Sequence, residues 1–178
     1  NGTDGNIRIA LDAIKAASQP HHFLSVTKGG HSAIVSTRGN EDCHIILRGG
    51  RQPNFDAPSV DAACAELAKA GLAQRLMIDA SHANSQKNHN NQTAVCVNIG
   101  EQVAGGDVRI IGVMIESHLQ GGAQTLGPRE NLRYGQSVTD ACLSLDATLP
   151  LLQELAEAVR AARAPSAFGG AREQDTHP

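Results

Sequence analysis

Three short apolar runs in this chain each close on a polar, chemically capable residue: HIILR on Arg48, LMIDASH on His82 and VMIE on Glu116. The intervals are equal, since 82 − 48 and 116 − 82 are both 34. An interval of that size accommodates one strand, one helix and two loops. Functional residues at the carboxyl ends of successive parallel strands are how a (β/α) barrel assembles its active site. The feature points to an α/β fold and to an enzyme.

The 178 residues are enough for one compact domain with a sizeable core. With 15 basic against 18 acidic residues the net charge is −3, which argues against a surface that wraps a polyanion, so nucleic acid is not an expected partner. No apolar stretch approaches the roughly 20 residues that span a bilayer, and a soluble, cytoplasmic protein is expected. Cysteines at 43, 64, 96 and 142 form no CxxC pair, which favours reduced thiols over disulfides or a zinc knuckle. The chain opens on Asn1 without a methionine and runs straight into Gly2-Thr3-Asp4-Gly5, a loop and helix-start pattern that reads as cut out of something longer.

Helix alternates with strand along the chain. Ile7, Leu11 and Ile14 predict a helix over 6–18, capped by Asp4 and ended by Pro20. Phe23 to Thr27 and Ser32 to Ser36 flank Lys28-Gly29-Gly30-His31 and predict a hairpin. Cys43 to Leu47 reads as a buried strand, turned sharply at Gly49-Gly50. A helix is expected from about Ser59, after Pro58, to Ala70, then a strand from Arg75 to Asp79. Val95, Ile99 and Val103 place a helix over 92–104, and Val108 to Ile115 predicts a strand covered on both faces. Residues 120–137 read as a long loop. A last helix is expected from about Thr148 to Arg163, with Leu151, Leu152, Leu155 and Val159 inward; beyond it, 164–178 reads as a disordered tail. Three strands with their helices are less than half of an eight-stranded barrel, so the sheet is either small and open or part of a larger barrel.

His82 follows a buried strand and precedes small polar residues able to fix its ring; alone, a histidine so placed is more often a satisfied loop residue. Glu116 alone would be a solvated strand end, and Asp140, in SVTDAC, a helix cap. Brought to one rim, the three form a hard donor set suited to Mn²⁺, Fe²⁺ or a similar divalent ion acting as Lewis acid. Arg48 offers a planar fork for phosphate or carboxylate, or else a structural salt bridge. His21, His22, His44, His89 and His118 read as surface or packing residues.

The runs NGTDG, FLSVTKGGHSAIVSTRGNEDCHIILRGG, PNF, MIDASHANSQK, IIGVMIESHL and YGQSVTDAC closely resemble, in collinear order over roughly residues 1–163, the carboxyl-terminal half of type I 3-deoxy-D-arabino-heptulosonate-7-phosphate (DAHP) synthase. The resemblance implies the carboxyl-terminal part of a (β/α)₈ TIM barrel, with the hairpin at about 21–37 as an insertion. It implies the first reaction of the shikimate pathway of aromatic amino acid biosynthesis, the condensation of phosphoenolpyruvate with erythrose 4-phosphate with release of phosphate, in an enzyme expected to be a homo-oligomer. On this reading Arg48 grips phosphoenolpyruvate, and His82, the catalytic residue, holds the divalent metal ion with Glu116 and Asp140. The ion would polarise the aldehyde carbonyl for attack by the enol carbon, with water adding before phosphate leaves.

The departures from that pattern also carry meaning. The family's fourth metal ligand, a cysteine, its phosphate-gripping lysine and its KPRT-type erythrose 4-phosphate motif have no counterpart among these residues, and none of the four cysteines falls in a matching motif. The 178 residues alone are therefore expected not to turn over. Gly29 and Ala80 stand where relatives commonly carry tryptophan and phenylalanine, a loss expected to loosen packing wherever those sites are buried. By resemblance, Phe23, Ser25 and Val35 match residues that bind an aromatic amino acid effector; the alternative makes Phe23 and Val35 hairpin core and Ser25 a solvated strand residue. Two other functions remain open, another metal-dependent barrel aldolase and a non-catalytic half-barrel.

Overall fold

The computed structural model describes residues 1–164, so the predicted tail falls, from 165 onward, outside the described residues. The chain runs α1 (Arg8–Ala17), a hairpin of β1 (His22–Val26) and β2 (Ser32–Ser36), β3 (Ile45–Leu47), α2 (Ala57–Lys69), β4 (Leu76–Asp79), α3 (Gln92–Ala104) and β5 (Ile110–Met114). Four short strands follow, β6 (Ser117–His118), β7 (Gln120–Ala123), β8 (Gln136–Ser137) and β9 (Leu143–Ser144), and then α4 (Leu145–Arg163).

The centre is a parallel sheet in the order β3-β4-β5, each strand joined to its neighbour through one helix. Leu47, Ile78 and Val113 lie in one register row. Ile45, Leu47, Leu76 and Ile78 are buried and belong to one core with Val60, Cys64 and Leu67 of α2 and Val95, Cys96 and Ile99 of α3. Side chains alternate across a strand, so a slip of one residue in β3 would send Ile46 inward and expel Ile45 and Leu47. The expected burial of the third strand on both faces is not found: Ile111 of β5 is 50% exposed, and Ile46, two strands away in β3, is 39% exposed. Helices cover only one face of this sheet among the described residues, and the strand itself is shorter than the apolar run, with Val108 outside it and exposed.

Local chemistry moves several boundaries. Asp4 does not cap α1; its Oδ1 accepts the Asn6 N–H at 3.0 Å and orders the preceding turn, while Asn6 Oδ1 accepts the Arg8 N–H at 2.8 Å. Helix α2 starts two residues before Ser59, because Asp56 caps it by accepting the Ser59 N–H at 3.1 Å and Pro58 is tolerated in the first turn. Helix α4 starts three residues before Thr148, capped by Ser144, whose Oγ accepts the Ala147 N–H at 3.2 Å. It packs on α3 through Leu151, Leu155 and Ala158, whereas Leu152, expected inward, is half exposed. The 120–137 segment is not structureless: β7 pairs with β8, and just ahead of it β6 pairs in parallel with β9, which immediately precedes α4.

The hairpin forms as its sequence predicts, with Phe23 opposite Val35 and Ser25 opposite Ala33. Neither of its faces is a core: Phe23 is 49% exposed and Val35 38% on one, Leu24 and Ile34 more so on the other. Gly29 lies in its open turn, so a missing aromatic ring there costs no buried packing, whereas Ala80 is fully buried. Among the described residues no helix is long and apolar enough to cross a membrane, and all four cysteines are free.

Candidate metal and substrate site

Because β3, β4 and β5 are parallel, their carboxyl ends share one edge, and the residues that follow them line a single cavity of about 470 Å³. Arg48, His82, Glu116 and Asp140 all border it. One ligand atom from each of His82, Glu116 and Asp140 lies within 4.8 Å of the others. Asp140 reaches the group from the loop between β8 and β9 and caps no helix, that role being taken by Ser144. Phe23, Ser25 and Val35 are elsewhere, on one face of the hairpin.

The His82 and Glu116 side chains are held by neighbours that sequence reading passed over. His82 has a left-handed backbone, φ 47°, which folds its ring back so that Nδ1 meets Asp79 Oδ2 at 2.7 Å. Asp79 is 3% exposed, and its other oxygen accepts the Ser81 N–H at 2.8 Å. Burial pushes the Asp79 carboxyl above its ordinary range, against the opposing pull of the Ser81 N–H and His82. Ser81 donates from Oγ to Glu116 Oε2 at 2.5 Å. Gln92, fully buried at the start of α3, grips the backbone of Glu116 at both ends: its Nε2 donates to the Glu116 carbonyl at 3.1 Å and its Oε1 accepts the Glu116 N–H at 2.8 Å. A buried acid at a strand end, three residues before a histidine, was the available sign of Asp79; Gln92 had none.

The Arg48 turn is fixed by three asparagines. Asn1 Oδ1 accepts the Arg48 N–H at 2.8 Å and Asn54 Oδ1 the Gly49 N–H at 2.7 Å. Asn84 joins β3 to β4 by donating from Nδ2 to the carbonyls of Leu47 at 3.0 Å and Asp79 at 2.7 Å, while its Oδ1 accepts the Asn54 N–H at 2.8 Å. Gly49 has φ 74°, and a Cβ there would stand 2.7 Å from Asn84 N. Lys87 and His89 border the same cavity, which places His89 at the rim and not merely on the surface. Lys87 and Gln86 are also left-handed, a concentration of backbone strain found at functional loops.

The donor set fits a divalent cation. Two carboxylates are hard ligands and an imidazole is a borderline one, a mixture suited to first-row divalent ions; His82 Nε2 is not engaged by Asp79, and the Asp140 carboxylate accepts no hydrogen bond among the described residues. The profile of the DAHP synthetase I family matches residues 1–153. The chain belongs to the DAHP synthetase I family. The phospho-2-dehydro-3-deoxyheptonate aldolase of Escherichia coli K12, described as Phe-sensitive, is 57% identical over 163 residues, 92% of this chain and 47% of that protein. A tyrosine-inhibited relative from Schizosaccharomyces pombe is 54% identical over 168 residues, 92% of this chain and 45% of that one. The solved structure of the Francisella tularensis SCHU S4 aldolase superposes with a TM-score of 0.86 at 48% identity, covering 92% of this chain and 48% of that one. This DAHP synthetase I chain thus spans about half the length of the relatives it matches.

Proposed function

We propose that this chain is the carboxyl-terminal part of a DAHP synthase barrel and supplies three metal ligands and one substrate-binding arginine to the condensation of phosphoenolpyruvate with erythrose 4-phosphate. The observation that carries the reading is the meeting of His82, Glu116 and Asp140 within 4.8 Å, in the cavity that Arg48 also borders. The unreversed strand order β3-β4-β5 and the uncovered face with Ile46 and Ile111 suit an arc of a barrel whose remaining strands would cover that face. The hairpin, forming a sheet of its own, suits an insertion into that barrel.

In this assignment His82, Glu116 and Asp140 hold Mn²⁺ or Fe²⁺. When bound, such an ion acts as a Lewis acid toward an aldehyde carbonyl. Arg48 supplies two parallel N–H donors that fix the orientation of the phosphate or carboxylate of phosphoenolpyruvate. The Asn1, Asn54 and Asn84 contacts hold the backbone of the turn from which Arg48 projects. Calorimetric titration of the chain with Mn²⁺ tests the ligand set: His82→Ala and Glu116→Ala should each abolish the binding seen in the unsubstituted chain. Unchanged affinity in both would overturn the assignment. With three ligands and one arginine, the 178 residues by themselves are expected not to turn over; phosphate release dependent on both substrates would refute that.

The exposed face bearing Phe23, Ser25 and Val35 is proposed to receive an aromatic amino acid effector, supported by the Phe-sensitive and tyrosine-inhibited relatives. Titration of the full-length protein with phenylalanine, tyrosine and tryptophan should give heat with one of them. A silent titration with all three would end the proposal.

A further inference from the structure

Both oxygens of Asp79 act as acceptors, and the residue is almost wholly buried. Oδ1 takes the Ser81 backbone N–H at 2.8 Å and Oδ2 faces His82 Nδ1 at 2.7 Å, in a residue 3% exposed. A carboxylate oxygen has only lone pairs to offer, so the nitrogen that faces it must carry the hydrogen. The opposite ring nitrogen, Nε2, points toward Glu116, whose Oε1 is 3.7 Å away. We propose that Asp79 is a positioning residue that locks His82 in the tautomer with hydrogen on Nδ1, keeping the Nε2 lone pair directed into the group formed with Glu116 and Asp140.

The lock follows from a donor count. The Ser81 N–H is a fixed donor and claims one oxygen whatever occupies position 79. A carboxylate still has a second oxygen for the ring. An asparagine has one oxygen and one NH₂, so once Ser81 takes the oxygen the NH₂ is left against His82 Nδ1. Two donors cannot face each other, and the neutral ring relieves the conflict by moving its hydrogen to Nε2, the atom a metal ion requires bare. Asp79→Asn, nearly isosteric, therefore does more than delete a contact: it selects the wrong tautomer, as the same change does to the histidine of a serine protease triad. Asp79→Ala removes the preference without imposing the opposite one.

Long-range ¹H–¹⁵N spectra of the metal-free full chain labelled at histidine, recorded above the imidazole titration range, read the tautomer directly. His82 should be protonated on Nδ1. His118, whose Nδ1 accepts the Leu119 N–H at 2.8 Å, gives the opposite pattern in the same spectrum. Asp79→Asn should move the His82 hydrogen to Nε2 and weaken Mn²⁺ binding by about 10- to 100-fold, with Asp79→Ala weakened less. If the unsubstituted chain already carries the His82 hydrogen on Nε2, the proposal is overturned without recourse to any variant. It is overturned equally if Asp79→Asn folds and leaves both tautomer and affinity unchanged. The effect on affinity rests on His82 being a metal ligand, but the tautomer does not. An unsubstituted chain that binds no Mn²⁺ while Asp79→Asn still switches the ring would sink the ligand assignment alone.

Discussion

Asn84 offers the most direct test of how the rim is held together. It is 3% exposed and satisfies three backbone groups from three segments, the carbonyls of Leu47 and Asp79 and the N–H of Asn54. Asn84→Ala leaves all three short of a partner where water cannot readily substitute. At about 1 to 2 kcal/mol for each buried group left unpaired, the loss comes to about 3 to 6 kcal/mol. That is a large share of the roughly 5 to 15 kcal/mol by which a domain is stable, so the midpoint in urea followed by far-ultraviolet circular dichroism should fall steeply. Asn84→Asp separates hydrogen bonding from volume. It keeps the acceptor for Asn54 but turns a carboxylate on two carbonyls, and should be no more stable than the alanine variant. A loss below about 1 kcal/mol for Asn84→Ala, the worth of one ordinary hydrogen bond, would refute the argument. An aspartate variant as stable as the original would refute the role of the donors.

Two further outcomes follow from the same edge and from the opposite end of the sheet. Gly49→Ala combines a left-handed φ of 74° with a Cβ 2.7 Å from Asn84 N and 2.8 Å from the Ala83 carbonyl carbon; it should cost more than the roughly 1 kcal/mol of the backbone conformation alone. A variant that unfolds at the original urea concentration would contradict it. Asp107 is held below its ordinary 3.8 chiefly by hydrogen bonds from Arg109, whose Nε and Nη2 donate at 2.9 and 2.6 Å. A carboxyl with a lowered folded pKa contributes stability that is complete above its unfolded value and is lost as pH falls through the folded one. Asp107→Asn should therefore destabilise the chain at neutral pH and flatten the acid limb of its stability curve below about 3.8. Parallel curves for the two proteins across that limb would exclude the linkage.

What was legible in the sequence was whatever a few consecutive residues could encode. Apolar runs of three to five residues marked β3, β4 and β5, and a polar residue after each marked the rim. Asp140, on no such run, entered the set as a candidate ligand by its chemistry, and family resemblance gave it that role. The supporting contacts were not legible, because they join residues far apart in the chain: Asn1 to Arg48, Asn54 to Asn84, Gln92 to Glu116. No periodicity records such pairs. Strand β9 escaped for a different reason, since two residues are too few to show alternation. Exposure of Ile46 and Ile111 depends on which face the helices cover, and a run of apolar residues does not say.

The equal interval of 34 between Arg48, His82 and Glu116 looks different once the register is known. Leu47, Ile78 and Val113 occupy one row of the sheet, so the structural repeat is 78 − 47, or 31, and then 113 − 78, or 35. Arg48 follows its row residue directly, His82 comes four residues after its own and Glu116 three. The three are not equivalent positions of a repeat; unequal strand-end extensions happen to offset unequal connections. That inequality has a structural correlate. Arg48 leaves the sheet at once on a glycine turn fixed through its backbone N–H. His82 requires four residues because the chain must first bury Asp79, pass Ala80 and turn left-handed to bring the ring back onto that acid. Asp79, the last residue of β4, fixes the imidazole, and Ala80-Ser81 supply the turn that brings the ring back onto it, so shortening Ala80-Ser81 would preserve the apolar run and its strand while removing the geometry on which the site depends.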